Sequence, residues 1–281
     1  MPQHAQPYNA VVHRRSRDKN TRHSKGALSP KKSDRRVGLA RSLSKLGLCS
    51  RSQACGWIAA GRVRLAGAIT RNPEAPVRMG IDRIEIDGQS AASADKVYLV
   101  MYKDRGVVTT ASDEHGRATV YDSLPAPPSG RAAEWVAPVG RLDKASEGLL
   151  LMTNDSEWAA RITAPESHLD KTYHVQIARV ADEAVLEKLR RGVENRGETL
   201  AAKRAALLRS GGKNSWIEIV LDEGKNRQIR RMLEALGIEV LRLIRVSIGP
   251  LTLGDLQRGA VRPLTSSEKA LLDRTMAERR L

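Results

Sequence analysis

Three stretches of this chain combine residue types and spacing that could do chemistry. The first holds a carboxylate. Asp143 follows Gly140-Arg141-Leu142 and precedes the polar residues Lys144 to Glu147. Directly after it, Gly148 to Thr153 is a short apolar run bounded by Gly148 and the Asn154-Asp155 turn pair. That length and those boundaries suggest a buried strand, although periodicity alone leaves a buried helix segment open. A carboxylate on a loop pinned to a rigid strand is placed to act as acid, base or nucleophile. The alternative is a solvated turn in which Asp143 pairs with Arg141 or Lys144.

The second stretch is cationic. Read as a helix from about Asn226, the segment puts Ile229, Leu233 and Leu236 on one face, with Gly237 ending it. Arg227, Arg230 and Arg231 then fall at i, i+3 and i+4 and form a compact ridge. Cations at a helix start oppose the macrodipole, a local cost that a bound anion would offset; a solvated face is the other reading. In the third stretch, Lys171 to Ile177 alternate, with Tyr173, Val175 and Ile177 sharing an apolar face. A tyrosine so placed is most often part of a core.

These residues need elements to position them. From residue 36, Val37, Leu39, Ala40, Leu43 and Leu46 suit one face of a helix stopped by Gly47. Ser50-Arg51-Ser52-Gln53 has capping-box spacing and opens a helix ending at Gly61, followed by short strands at 62–66 and 83–86. Arg41, Lys45, Arg51, Arg62 and Arg64 can line one exposed face of this helix pair, or simply be a solvated basic surface. Residues 90–96 read as a linker, 97–102 as a strand, and Lys103-Asp104-Arg105-Gly106 as a turn. Pro125 to Gly130 marks an irregular loop. A helix capped by Asp155-Ser156 runs to Ile162, and an amphipathic helix over 182–191 ends at Gly192. Strands are expected at 216–221 and 241–248, and a charged helix over 266–281.

Composition narrows the class of partner. A chain of 281 residues suits two or three folded units and a tail. Its net charge of +16 points to a polyanion, nucleic acid first. A basic membrane-surface protein is the competitor, but no amphipathic helix rich in exposed apolar residues supports it, and no apolar run is long enough to span a bilayer. Residues 1–35 carry nine basic against two acidic residues with almost no apolar periodicity, and are expected to be a disordered basic arm. They lack the apolar region of a secretory signal, while a transit peptide remains open on composition. Cys49 and Cys55 have no partner pair, which suits a reducing compartment. The scattered histidines imply no metal.

Gly-Arg-Leu-Asp at 140–143, Ser146-Glu147-Gly148-Leu149-Leu150-Leu151 and Thr153-Asn154-Asp155 together resemble the signature of the ribosomal RNA pseudouridine synthases of the small-subunit uridine-synthase type. Lys171-Thr172-Tyr173, the run at 223–232, and Arg245 to Gly249 resemble that family's later motifs. Leu-Gly-Leu-Cys-Ser-Arg-Ser-Gln-Ala at 46–54, Ile-Ala-Ala-Gly-Arg-Val at 58–63 and Ile-Asp-Gly at 86–88 resemble an S4-type RNA-binding domain. There are departures. Leu65-Ala66-Gly67 stands for the usual Val-Asn-Gly, the first helix lacks an Arg-Leu-Asp start, and Asp104 replaces a proline.

The resemblance implies an α+β fold: an S4-like RNA-binding domain at 36–89, a linker at 90–96, and a mixed α/β, mostly antiparallel-sheet catalytic domain at 97–265. It implies isomerisation of uridine to pseudouridine in ribosomal RNA, with the large subunit favoured over the small. Asp143, Tyr173 and Arg230 would be catalytic, Tyr173 stacking on the base and Arg230 pairing with Asp143. Arg141, Lys171, Arg227, Arg231 and Ile248 would bind substrate, with Ile248 packing under the base. Arg41, Lys45, Arg51, Arg62 and Arg64 would bind RNA. No cofactor or metal is expected. The implied partner is ribosomal RNA, free or in pre-ribosomal particles, met in the cytoplasm by a monomer without a membrane. Two other classes stay open: a noncatalytic RNA-binding protein, and a glycosidic hydrolase that uses Glu147 as its second carboxylate.

Overall fold

The computed structural model describes residues 36–111, 113–125 and 135–278. The predicted arm at 1–35 and most of the Pro125–Gly130 loop lie outside the described residues. The first part of the chain comprises β1 (Arg36–Gly38), α1 (Leu39–Lys45), α2 (Arg51–Ala59), β2 (Val63–Leu65), β3 (Ala68–Ile69), β4 (Pro76–Arg78), β5 (Ile84–Ile86) and β6 (Gln89–Ser90). The helix expected from residue 36 starts three residues later. Val37 instead pairs with Val77 in a two-stranded ribbon, and Gly38, extended at ψ 143°, is the N-cap of α1. Ser50 does close a capping box, accepting from the Gln53 amide while Gln53 accepts from the Ser50 amide. Leu39, Leu43, Ile58 and Val63 bury a separate small core between the helices and the β3-β2-β5-β6 sheet. At the β2–β3 turn, Ala66 and Gly67 both have positive φ, 49° and 84°, the geometry that Asn-Gly serves best.

The second part contains β7 (Tyr98–Lys103), β8 (Ala137–Pro138), β9 (Glu147–Thr153), α3 (Ser156–Thr163), β10 (Lys171–Ile177), α4 (Glu183–Arg191), β11 (Val193–Asn195), β12 (Glu198–Leu200), β13 (Arg204–Ser210), β14 (Ser215–Leu221), α5 (Gln228–Ala235), β15 (Val240–Ile248), β16 (Leu251–Thr252), β17 (Val261–Pro263) and α6 (Ser266–Glu278). The main sheet runs β13-β14-β10-β15-β9-β7-β17, with β16 on β15 and β8 on β9. Its pairings are antiparallel except β15–β9, so the fold is α+β with a mostly antiparallel sheet.

Period-two alternation divides the buried residues of β9 between the two faces. Leu149 and Leu151 join a core with Trp158, Leu272 and Met276 under α3 and α6. Leu150 and Met152 join another with Leu99, Met101 and Leu142 on the opposite face. Each such side chain contributes about 1.5–3 kcal/mol on burial, which makes β9 a rigid base for the loop before it. The C-terminal helix α6 is part of this body, its Asp273 Oδ1 accepting from Trp158 Nε1 at 2.9 Å. A third core, between the sheet and helices α4 and α5, holds Val175, Ile217, Leu233 and Leu243. Tyr173 packs against both this core and the Leu150 cluster, so it stands where the two meet.

Candidate active site

A cleft of about 660 Å³ opens at that junction, and Asp143, Tyr173, Arg227, Arg230, Arg245 and Ile248 are among its lining residues. Arg141 and Lys171 line it as well. Asp143 sits on the loop between β8 and β9, and this loop is tightly held. Thr109 Oγ1 donates to the Leu142 carbonyl at 2.8 Å, and the Gly106 amide to that of Lys144 at 2.7 Å. Arg230 Nη2 donates to the Ala145 carbonyl at 2.9 Å. Lys103 Nζ donates to the carbonyls of Asp143 and Ser146, at 3.2 and 2.8 Å, and to that of Asp104. Every carbonyl from 142 to 146 therefore accepts a bond. The turn at Lys103–Gly106, where a proline was missing from the expected pattern, is pinned by these contacts.

The sequence marks Lys103 only as the start of a turn. It is 1% exposed, and its pKa falls to about 8, because burial outweighs the opposing charges of Asp143, Asp104 and Glu147. The available signal was its position at the end of the apolar run 97–102. Lys171 donates to the Asp222 carbonyl at 3.4 Å, and its pKa is also lowered, by burial first and then by the charge of Arg245.

The expected arginine ridge does not form. Arg227 has left-handed backbone (φ 48°) as the N-cap of α5, so it stands outside the helical register. Its Nη1 lies 3.5 Å from Asp143 Oδ2, making it the arginine that pairs with Asp143. Arg230 holds the loop rather than the carboxylate, although Asp143 remains close enough to oppose the lowering of its pKa by burial and Arg227. Arg231 lies outside the cleft. Its guanidinium bonds the side chain and carbonyl of Asn195 and pairs with Glu198 at 2.7 Å. One turn into the helix, its side chain faces the β11–β12 hairpin.

Glu147, the second carboxylate that a hydrolase would require, does not line the cleft. It is 3% exposed and takes Arg242 Nε and Nη2 at 2.5 and 2.9 Å. Burial pushes its pKa up, but the Arg242 bonds, with the charges of Arg242 and Arg258, outweigh that and leave it low. Among the described residues no group of three or more His, Cys, Asp or Glu could hold a metal ion.

The basic residues of the first part have varied fates. Lys45 Nζ pairs with Glu157 of α3 at 2.8 Å. Arg62 is bound to Asp87 and lies 5.3 Å from the Trp57 ring centroid. Arg64 donates to the Gly67 carbonyl, and Arg41, Arg51 and Arg64 are exposed. Asn154, fully buried, joins this part to the sheet. It donates to the Asp95 carbonyl and accepts from the Val97 amide, while Gly47 packs against it.

Residues 97–235 match the family of RNA pseudouridylate synthases. The chain is 36% identical over 232 residues to the ribosomal large subunit pseudouridine synthase B of Bacillus subtilis, covering 82% of this chain and 93% of that protein. It is 38% identical over 221 residues to the protein of the same name from Escherichia coli, covering 76% and 74%. A crystal structure of a pseudouridylate synthase superposes with a TM-score of 0.58 at 30% identity, covering 84% of this chain and 99% of that one.

Proposed function

This chain belongs to the RNA pseudouridine synthase family, an isomerase family, and we propose that it converts a uridine of large-subunit ribosomal RNA to pseudouridine with Asp143 as the acting carboxylate. The observation that carries this reading is the fully bonded loop that holds Asp143 in one cleft with a half-buried tyrosine. A group so fixed loses little entropy on reaching the transition state. The names of the relatives favour the large subunit.

In this reaction the target uridine leaves its stack, at a cost of a few kcal/mol, and enters the cleft. Tyr173 stacks on the base and Ile248 packs beneath it. Asp143 acts on the ribose as nucleophile or as base, with Arg227 orienting it. The C1′–N1 bond breaks, uracil turns, C5 bonds to C1′, the C5 proton leaves and N1 takes one up, so that no atom is gained or lost. The isomerisation moves one bond within a nucleotide and involves no net oxidation or reduction. The S4-like region, through Arg41, Arg51 and Arg64, together with the arm at 1–35, supplies binding energy from phosphates.

We further read the protein as a monomer acting in the cytoplasm on ribosomal RNA or pre-ribosomal particles. Cys49 and Cys55 are free thiols, which suits a reducing compartment. Among the described residues no helix is long and apolar enough to cross a membrane. The test is a pseudouridine map of total ribosomal RNA from cells with this protein, without it, and with Asp143→Ala. One site lost in both deficient strains names the substrate. An unchanged map favours a noncatalytic RNA-binding protein and rejects the proposal.

A further inference from the structure

β15 carries two arginines with opposite environments. Arg242 is neutralised by Glu147 through two bonds. Arg245 has no such partner. It is 6% exposed, its Nε donates to the Leu149 carbonyl at 2.8 Å, and its Nη2 has neither a partner nor access to solvent. Among the described residues no carboxylate forms an ion pair with it. It lines the cleft opposite Tyr173 in the β10–β15 register and opposite Gly148 in the parallel β15–β9 pair. Gly148 permits that closeness, because a Cβ there would fall 2.3 Å from the Arg245 carbonyl oxygen.

A buried cation without a counter-ion costs several kcal/mol. The surroundings add to that cost, since the charge of Arg245 acts against the charged forms of both Lys171 and Lys103. Uncompensated charge preorganised in a cleft is most useful where opposite charge develops during reaction. Asp143 is already paired with Arg227, so the negative charge in question is one that the reaction creates.

Uridine isomerisation, the reading on which this inference rests, creates one. When C1′–N1 breaks, its electron pair leaves with uracil and spreads over N1, O2 and O4. The base is an anion until C5 bonds to C1′; the C5 proton is then lost and N1 is protonated. This holds whether Asp143 acts as nucleophile or as base. We propose that Arg245 is the cation that stabilises the detached uracil anion while it turns in the cleft.

The test compares single-turnover cleavage of the N-glycosidic bond in large-subunit ribosomal RNA transcripts containing uridine or 5-fluorouridine. The fluorine withdraws electrons and stabilises the same anion without protein help. Arg245→Met should slow cleavage of the uridine transcript by about 10²- to 10³-fold. Arg245→Lys, which keeps the charge, should slow it less and serves if the Met variant does not fold. For either variant the slowing should shrink at least severalfold on the fluorouridine transcript. An equal slowing on both transcripts, or none on either, overturns the proposal. Wild-type enzyme on the uridine transcript is the separate check: no turnover there rejects the isomerase reading and this inference together, whereas wild-type turnover with equal slowing rejects Arg245 alone.

Discussion

Arg227 Nη1 lies 3.5 Å from Asp143 Oδ2, while Arg230 gives its Nη2 to the carbonyl of Ala145, two residues further along the same loop. One arginine thus meets the carboxylate and the other fixes the backbone that carries it. The first is half exposed, where an ion pair contributes about 0–1 kcal/mol. The second is partly buried, and its Nε has no partner. Arg230→Met is expected to lower the single-turnover rate by about 100-fold through misplacement of Asp143. Arg227→Met is expected to lower it by no more than about tenfold. A reversed order in measured rates would mean that the direct pair matters more than the loop.

Lys103 links stability and activity to pH with opposite signs. Its ammonium ionises at about 8, against 10.5 for a free lysine. Between those values the unfolded chain holds more protons, so this group makes stability rise with pH across that window. Activity should move the other way. A neutral amine has two hydrogens for three carbonyls, the loop loosens, and the rate falls as pH passes about 8. Lys103→Met should be slower throughout and lose that decline. Denaturation midpoints and rates measured from about pH 7 to about pH 10 read both effects.

Gly148 has φ 106°, and a Cβ there would lie 2.3 Å from the oxygen and 2.8 Å from the nitrogen of Arg245. Both atoms are backbone, so relief requires separating β9 from β15. Gly148→Ala should destabilise the protein by about 3 kcal/mol or more, lowering Tm by roughly 6–12 °C. Gly212→Ala, with open space around the position, is the matched control and should melt like the wild type.

Lys45 meets Glu157 across the contact between α1 and α3. If that pair sets how the first part of the chain docks, Lys45→Glu and Glu157→Lys should each raise the KM for ribosomal RNA by up to about fivefold. The double exchange should then return it. Persistent weakness in the double variant would show that Lys45 contacts RNA directly.

Much of the local structure was legible because it rests on neighbours in sequence. The alternation of Lys171 to Ile177, the capping box at Ser50 and the stop at Gly192 all appear where the periodicity put them. Asp143 stands just before an apolar run that does fold as a buried strand. The run by itself leaves a helix segment and a solvated turn open, and the role of Asp143 comes from the family resemblance. Other expectations failed through small local shifts. Val37 found a strand partner in Val77, which delayed the first helix. A single left-handed residue at Arg227 broke the ridge and left Arg231 facing Asn195. Arg141, Lys171, Arg227 and Arg230 line the cleft as the resemblance implied, but tertiary structure alone decided how its cations are partnered. Arg245 reaches Leu149 across 96 positions of sequence through the one parallel pairing of the sheet, and Lys103 is buried only because the Asp143 loop folds over it. Spacing along a chain sets which residues share a face of one element; whether a charge on that face meets a carboxylate, a carbonyl or nothing depends on strands brought together from far apart.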